Sequence, residues 1–250
     1  MKVISALMAM VAVVASATVN DNLHFVFELT RHGARAPTGQ STGYTIEEGE
    51  LTPQGMRQRY LLGKHNRQRY VDDYELLDGG VYGASEEMLL ASTLVNRTMQ
   101  SMYSELMGMF PPTVNDPALR LTPAQQHALQ PKGIASPPFK IRDQAGMSDL
   151  ALPQGFMQIP VYTHLLADMD DDLDLGGCGY VSKVDGYRFP AESTYANVEF
   201  LKDDLRAPIS AAFNLTQEES TNMSFMTLYG KCDVIQSNIF EGLGPGYNYT

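Results

Sequence analysis

Two arginines flank a histidine shortly after a run of mostly apolar residues, and few folds accommodate that combination. The run is Leu23-His24-Phe25-Val26-Phe27, and the charged stretch is Leu29-Thr30-Arg31-His32-Gly33-Ala34-Arg35-Ala36-Pro37. β-Branched and aromatic residues suit a pleated surface covered on both faces, so the run is predicted to be a buried strand. The stretch then lies at the carboxyl end of that strand, where open α/β sheets bind ligands. Arginine's planar fork matches phosphate oxygens and keeps its charge. A phosphate pocket around His32 is expected, with Gly33 turning the backbone tightly so that His32 faces it. Taken singly, the two residues also fit a satisfied buried histidine and an ordinary turn glycine.

The pattern of strand, loop and helix recurs downstream. Thr52-Pro53 supplies a hydroxyl N-cap and a proline at the first helical position. That helix is expected to reach about Tyr70, with Met56, Tyr60 and Gly63 on one face and Arg57, Lys64 and Arg67 around the rest. Met88-Leu89-Leu90-Ala91 reads as a second short buried strand. Ser92-Thr93 then offers N-caps for a helix from Leu94 to Phe110, striped by Val95, Met99, Met102, Leu106 and Met109 and ended by Pro111-Pro112. Arg97 falls in its first turn, where a helix N-terminus already favours anions. A solvated surface arginine is the commoner reading of Arg97 by itself.

From Asn115 to about Gln154 the chain is rich in Pro, Gln and Ala, with a helix start at Thr122-Pro123. Phe156 to Thr163 reads as a third strand, its Pro160 marking an end or a bulge. The acidic cluster Asp168, Asp170, Asp171, Asp172 and Asp174 lacks the glycine and distal glutamate of an EF-hand and reads as a solvated loop. The remainder looks helical. Tyr195, Val198, Leu201 and Leu205 form one stripe interrupted by Pro208. Thr216 to Glu219 is a capping box. Phe225, Leu228, Cys232, Ile235 and Ile239 form another stripe, stopping at Gly242. Helices without alternating strands suggest a helical cap beside an α/β core.

With 250 residues, 44% of them hydrophobic, the chain can bury a sizeable core. Its formal net charge of −11 argues against a nucleic-acid partner. Lys2, the apolar run from Val3 to Val14 and Ala15-Ser16-Ala17 form a secretory-signal pattern with cleavage after Ala17. An uncleaved anchor or a buried helix is the other reading of that segment. Extracellular or lysosomal destinations follow, with no membrane span after cleavage. Cys178 and Cys232 could pair in an oxidising compartment, or each await another partner. Sequons stand at Asn96, Asn214, Asn222 and Asn248, three of them clustered late as an exposed, glycosylated face. Folding is expected to hide Asn96.

Arg31, Arg35 and Arg97 together would clamp a phosphoryl group and neutralise charge in its transition state. An imidazole among them could attack phosphorus and become a phosphohistidine. The arginines would also lower the His32 pKa, leaving a ring nitrogen free in acid.

Arg-His-Gly-x-Arg-x-Pro at 31–37 resembles the signature of the histidine acid phosphatases, a branch of the histidine phosphatase superfamily. Five such fixed positions arise by chance in about one chain of this length in ten thousand. Leu51-Thr52-Pro53-Gln54-Gly55 is similar to the family's Leu-Thr-x-x-Gly helix start. Ala91-Ser92-Thr93 through Arg97 and Ser101 resembles its second arginine motif. Ile159 to Thr163 is similar to a family strand usually written with histidine where Tyr162 stands. The resemblance implies His32 as the phosphorylated nucleophile, Arg31, Arg35 and Arg97 as phosphate ligands, a phosphate monoester as substrate, and no metal or organic cofactor. Ala34, where the mutase branch has glutamate, favours the acid phosphatase and phytase branch.

The family's proton donor follows a histidine late in the chain. Here His24, His32, His65, His127 and His164 are the histidines, and none precedes Asp or Glu. The chain is therefore expected to be a C-terminally truncated piece, impaired without a proton for the leaving alkoxide and exposing apolar sheet surface. A catalytically inactive, phosphatase-like binding protein is the alternative. The expected architecture is a three-layer α/β/α core of the phosphoglycerate mutase type with a mainly helical cap. Residues 1–17 would be the signal, 18–112 and about 155–166 the core, and 113–154 and 167–250 the cap. Oligomeric state is open.

Overall fold

Thr52 begins the first helix as its composition dictates. Its hydroxyl accepts the Gly55 N–H at 2.9 Å, and Pro53 occupies the first helical position. The computed structural model describes residues 23–38, 43–113, 116–130, 132–139, 149–163, 179–188 and 201–243. Helix α1 spans Pro53–Arg67 and continues as a π-helical turn, Gln68–Asp73. Helices α2 (Val81–Glu87), α3 (Asn96–Met109) and α4 (Pro123–Leu129) follow. Helices α5 (Gly179–Arg188), α6 (Leu201–Ala212), α7 (Gln217–Thr221) and α8 (Phe225–Phe240) complete the described α-helices. The capping box from Thr216 to Glu219 forms both of its reciprocal bonds, and Thr122 makes a second one with Gln125.

β structure among the described residues is limited to three isolated bridges. Arg35 pairs antiparallel with Leu51, Ala91 parallel with Tyr162, and Arg120 antiparallel with Leu150. Two predicted strands thus meet in the parallel sense: Tyr162 N–H donates to the Leu90 carbonyl at 2.9 Å, and Ser92 N–H to the Tyr162 carbonyl at 2.8 Å. The first predicted strand does not form. Leu23 to Arg31 has no regular secondary structure, and Phe25, Phe27 and Leu29 are each more than three-quarters exposed. A strand needs another strand for its N–H and C=O groups, and among the described residues none bridges to this segment. Leu89 of the second predicted strand is likewise exposed. The three-layer arrangement is accordingly not displayed by the described residues.

The helical faces differ from the sequence expectation in one instructive way. The buried positions of α1 are Gly55, Arg59, Gly63 and Asn66, whereas Met56 is exposed. The cause is α3. A Cβ on Gly63 would run into the Glu105 carbonyl, and one on Gly108 into the Tyr60 carbonyl. The two helices touch backbone to backbone, so glycines and a polar network face inward and the apolar Met56 turns out. On α3 the predicted Leu106 and Met109 are buried, joined by Ser101, Glu105 and Gly108. Its N-cap is Val95, which makes no side-chain cap bond; Thr93 instead engages the Thr98 hydroxyl at 2.8 Å.

Leu106, Met109 and Phe110 build one core with Val71, Val81, Ala84 and Ile159. A second core joins Ile209, Phe213, Met223, Leu228 and Val234 of the late helices. Pro208 lies inside α6 and does not interrupt it, because Ile209 and Phe213 beyond it are buried in this second core. On α8, Leu228 is buried as expected, but Val234 and Asn238 complete its inner face and Ile239 is exposed. No described helix is long and apolar enough to cross a membrane. Residues 1–22, the acidic cluster, Cys178 and Asn248 lie outside the described residues, so the Cys178–Cys232 pairing does too; Cys232 itself is half-buried on α8. Asn96, Asn214 and Asn222 are exposed, which overturns the expectation that folding hides Asn96.

Alanine ordinarily stabilises a helix relative to glycine. Here Gly63→Ala and Gly108→Ala are each expected to destabilise the protein by about 1–3 kcal/mol through overpacking. Met56→Ala should stay within about 0.5 kcal/mol. Urea midpoints at unchanged slope measure this; equal effects of all three would refute the backbone contact.

Candidate active site

The 31–37 stretch is held in place by backbone bonds. Ala36 N–H donates to the Glu50 carbonyl at 2.9 Å, Gly49 N–H to the Ala36 carbonyl at 3.1 Å, and Thr52 N–H to the Ala34 carbonyl at 3.0 Å. Gln58, one turn into α1, accepts the Ala34 N–H at 2.9 Å. Gly33 N–H donates to the Ser101 hydroxyl at 3.1 Å, and that hydroxyl donates to the Arg97 carbonyl at 2.6 Å. The stretch is thereby tied to both α1 and α3. The left-handed glycines among the described residues are Gly43, Gly49, Gly155 and Gly242, so Gly33 is not the turn glycine that was expected. It is needed because a Cβ there would strike the Gly55 backbone, and one on Gly55 would strike the Ala34 carbonyl.

Beneath the stretch, Arg59 and Glu105 form a buried ion pair, each side chain 8% exposed. Arg59 also donates to the Thr30 hydroxyl at 2.6 Å and to the Arg31 carbonyl at 3.2 Å. Asn66 donates to Glu105 and to Glu28, both at 2.9 Å. Burial pushes the Glu105 carboxyl up, against the opposing pull of Arg59. The network fixes the backbone immediately ahead of His32.

His32 is half-buried, and its Nδ1 lies 2.8 Å from the Gly33 carbonyl. A carbonyl only accepts, so Nδ1 carries the proton and Nε2 keeps a free lone pair in the neutral ring. Burial first, then the charges of Arg97, Arg31 and Arg35, hold the imidazole below its ordinary range; the Gly33 bond opposes them.

His32 lines a cavity of about 220 Å³. Arg31, Arg35 and Gln58 share its wall, and Asp233, Gln236, Ser237 and Phe240 of α8 form the other. Arg35 reaches across with one terminal nitrogen, 2.9 and 3.0 Å from the two Asp233 oxygens. Its other terminal nitrogen donates to the Ala36 carbonyl at 3.0 Å. α8 is fixed over the site by further bonds. Tyr44 donates to Asn238 at 2.8 Å, the Thr52 hydroxyl lies 2.6 Å from Glu241, and Gln54 donates to the Phe240 carbonyl.

Arg31, His32 and Arg35 are thus brought together at one cavity. Arg97 stands beside the cavity and not in its lining. Its terminal nitrogen is 3.5 Å from the Gly49 carbonyl, at the outer limit of a hydrogen bond, and its buried Nε has no hydrogen-bond partner. Burial, and then Arg35, lowers its pKa, which places the guanidinium within electrostatic reach of the cavity. Sequence reasoning missed Gln58, Asp233, Gln236, Ser237 and Phe240. The α8 residues carried no local signal, because only packing sets which face of that helix meets the arginines. Among the described residues no group of three or more His, Cys, Asp or Glu side chains could hold a metal ion.

The family model for the histidine phosphatase superfamily (branch 2) matches residues 40–250. Lysosomal acid phosphatase of Homo sapiens is 38% identical over 98 residues, which is 36% of this chain and 22% of that protein. Prostatic acid phosphatase of Homo sapiens is 32% identical over 121 residues, 43% of this chain and 29% of that protein. Counting factor 60 of Dictyostelium discoideum is 43% identical over 67 residues, 26% of this chain and 16% of that protein. The chain spans less than a third of the length of these curated relatives.

Removing one partner of a buried pair leaves an uncompensated charge, so Glu105→Gln should cost about 3–5 kcal/mol in denaturant unfolding. An unchanged midpoint would refute the network's role. In imidazole NMR titration, His32 should protonate at lower pH than an exposed histidine, and Arg97→Gln should raise its midpoint. No change on that substitution would show that Arg97 lies too far away to act on it.

Proposed function

The chain belongs to the histidine phosphatase superfamily (branch 2), and on that premise we propose that it hydrolyses phosphate monoesters through a phosphohistidine on His32. The observation that carries this reading is the Nδ1–H of His32 engaged by the Gly33 carbonyl, in a cavity that also holds Arg31 and Arg35. The Nε2 lone pair attacks phosphorus and the bond to the ester oxygen breaks. The leaving oxygen takes a proton from solvent water, and a second water then cleaves the phosphorus–nitrogen bond, releasing inorganic phosphate and restoring His32. Arg31 and Arg35 carry the phosphoryl charge from the lining. Arg97 adds charge from beside it, and the unpartnered Nε supports a role with an anion.

The family implies an α/β fold of the phosphoglycerate mutase type. We assign 18–112 and about 155–166 to its core, a placement supported by the parallel Ala91–Tyr162 bridge. The late helices, with a hydrophobic cluster of their own, are assigned to the cap. A secretory destination, extracellular or lysosomal, is supported by the pattern at 1–17 and by the lysosomal relative.

The second reading is a phosphatase-like binding protein without turnover, in which Asp233 keeps hold of Arg35. Aryl phosphate hydrolysis at acid pH separates the two. His32→Ala should lower kcat by at least about a thousandfold. A wild-type rate no higher than that of His32→Ala, with phosphate binding retained, would establish the binding protein instead.

A further inference from the structure

The far wall of the cavity says something about the alcohol that the site accepts, given the phosphatase reading above. An in-line displacement places nucleophile and leaving oxygen on opposite sides of phosphorus. Apart from Gln58 and the 31–35 stretch that carries the nucleophile, the cavity is lined by α8, so α8 is the surface left for the leaving alcohol to meet. That wall presents Asp233, Gln236, Ser237 and Phe240: one carboxylate, two neutral polar side chains and one ring. Lys231 is the sole cation within α8, and it lies 4.2 Å above the Phe213 ring, in the second core and not in the cavity. The Asp233 carboxylate already engages Arg35, at 19% side-chain exposure, so the guanidinium edge nearest α8 is not open to another anion.

We infer that Asp233 is a specificity-determining residue that restricts the site to monophosphates of uncharged or cationic alcohols and rejects alcohols bearing a second phosphate. Once a phosphoryl group sits on the arginines, Asp233 is the charged group facing the rest of the substrate. A second phosphate would meet that carboxylate in a partly desolvated cavity, where like charges repel strongly. Gln236 and Ser237 can hydrogen-bond hydroxyl groups, and Phe240 offers a face to an apolar or aromatic portion. The α8 wall supplies no cation to hold a further anion. Discrimination thus comes from an unfavourable contact with the wrong ligand as much as from favourable ones with the right one.

Calorimetry on the full chain with propylphosphonate and propane-1,3-diphosphonate tests this, because the two differ only by the second anion and neither is hydrolysed. The wild type should bind propylphosphonate about tenfold more tightly. Asp233→Asn should shrink that gap to about twofold, and Asp233→Glu should preserve it. Gln236→Lys puts a cation on the same wall and should also close the gap, by a route that leaves the Arg35–Asp233 pair intact. Equal binding of the two phosphonates by the wild type, or a gap unchanged in both Asp233→Asn and Gln236→Lys, would overturn the inference while leaving the phosphatase reading standing. Failure of propylphosphonate itself to bind would overturn both.

Discussion

Arg59 leaves α1 where that helix touches α3 backbone to backbone, and its charge is met there by Glu105. Burying such a pair is expensive in desolvation, and apolar side chains of similar volume would often be as stable. What apolar side chains could not do is reach upward. A guanidinium has five donors in a fixed fork, and this one also holds the Thr30 hydroxyl and the Arg31 carbonyl. The position of the histidine stretch therefore follows from the packing of two helices that contribute little of the cavity lining. The glycines belong to the same device. Gly63 and Gly108 let the helices approach, and Gly33 and Gly55 let the stretch lie directly on the first turn of α1.

Above this base the electrostatics divide the work. Three arginines lower the pKa of His32, but burial does more than any of them. Partial desolvation is the main influence disfavouring the imidazolium, and the cations reinforce it. Among them, Arg35 is already engaged by Asp233. On the proposed reading, a phosphate would meet Arg35 with that contact already made. Helix α8 thus influences the site through charge as well as shape.

Helix starts were legible in the sequence because a cap is local chemistry. Thr52, Thr122 and Thr216 each accept an N–H three residues on, and no distant partner is required. Strands were legible only where a partner was present. Leu90 and Tyr162 meet in parallel, while Phe25-Val26-Phe27 stays outside any bridge, with Phe25 and Phe27 exposed. An apolar run states a preference for burial, but pairing requires another segment beside it. The face of α1 was misjudged for a related reason. Spacing put Met56, Tyr60 and Gly63 on one face; Gly63 is buried, but close helix contact turns Met56 out, and the polar groups beside the glycines must then find partners.

The sequence by itself determined the chemistry of the 31–37 stretch, down to which residue types surround the imidazole, because those groups are neighbours along the chain. It also put Arg97 forward as a candidate companion, through its place in the first turn of α3. Only the tertiary structure decided that Arg97 stands beside the cavity and not within its lining. Only the tertiary structure brought Asp233 to Arg35, across a separation of 198 residues. The physical reason is common to both. A covalent neighbour is set by connectivity, whereas the face that a distant helix turns toward a site is set by which of its side chains the cores on either side can bury.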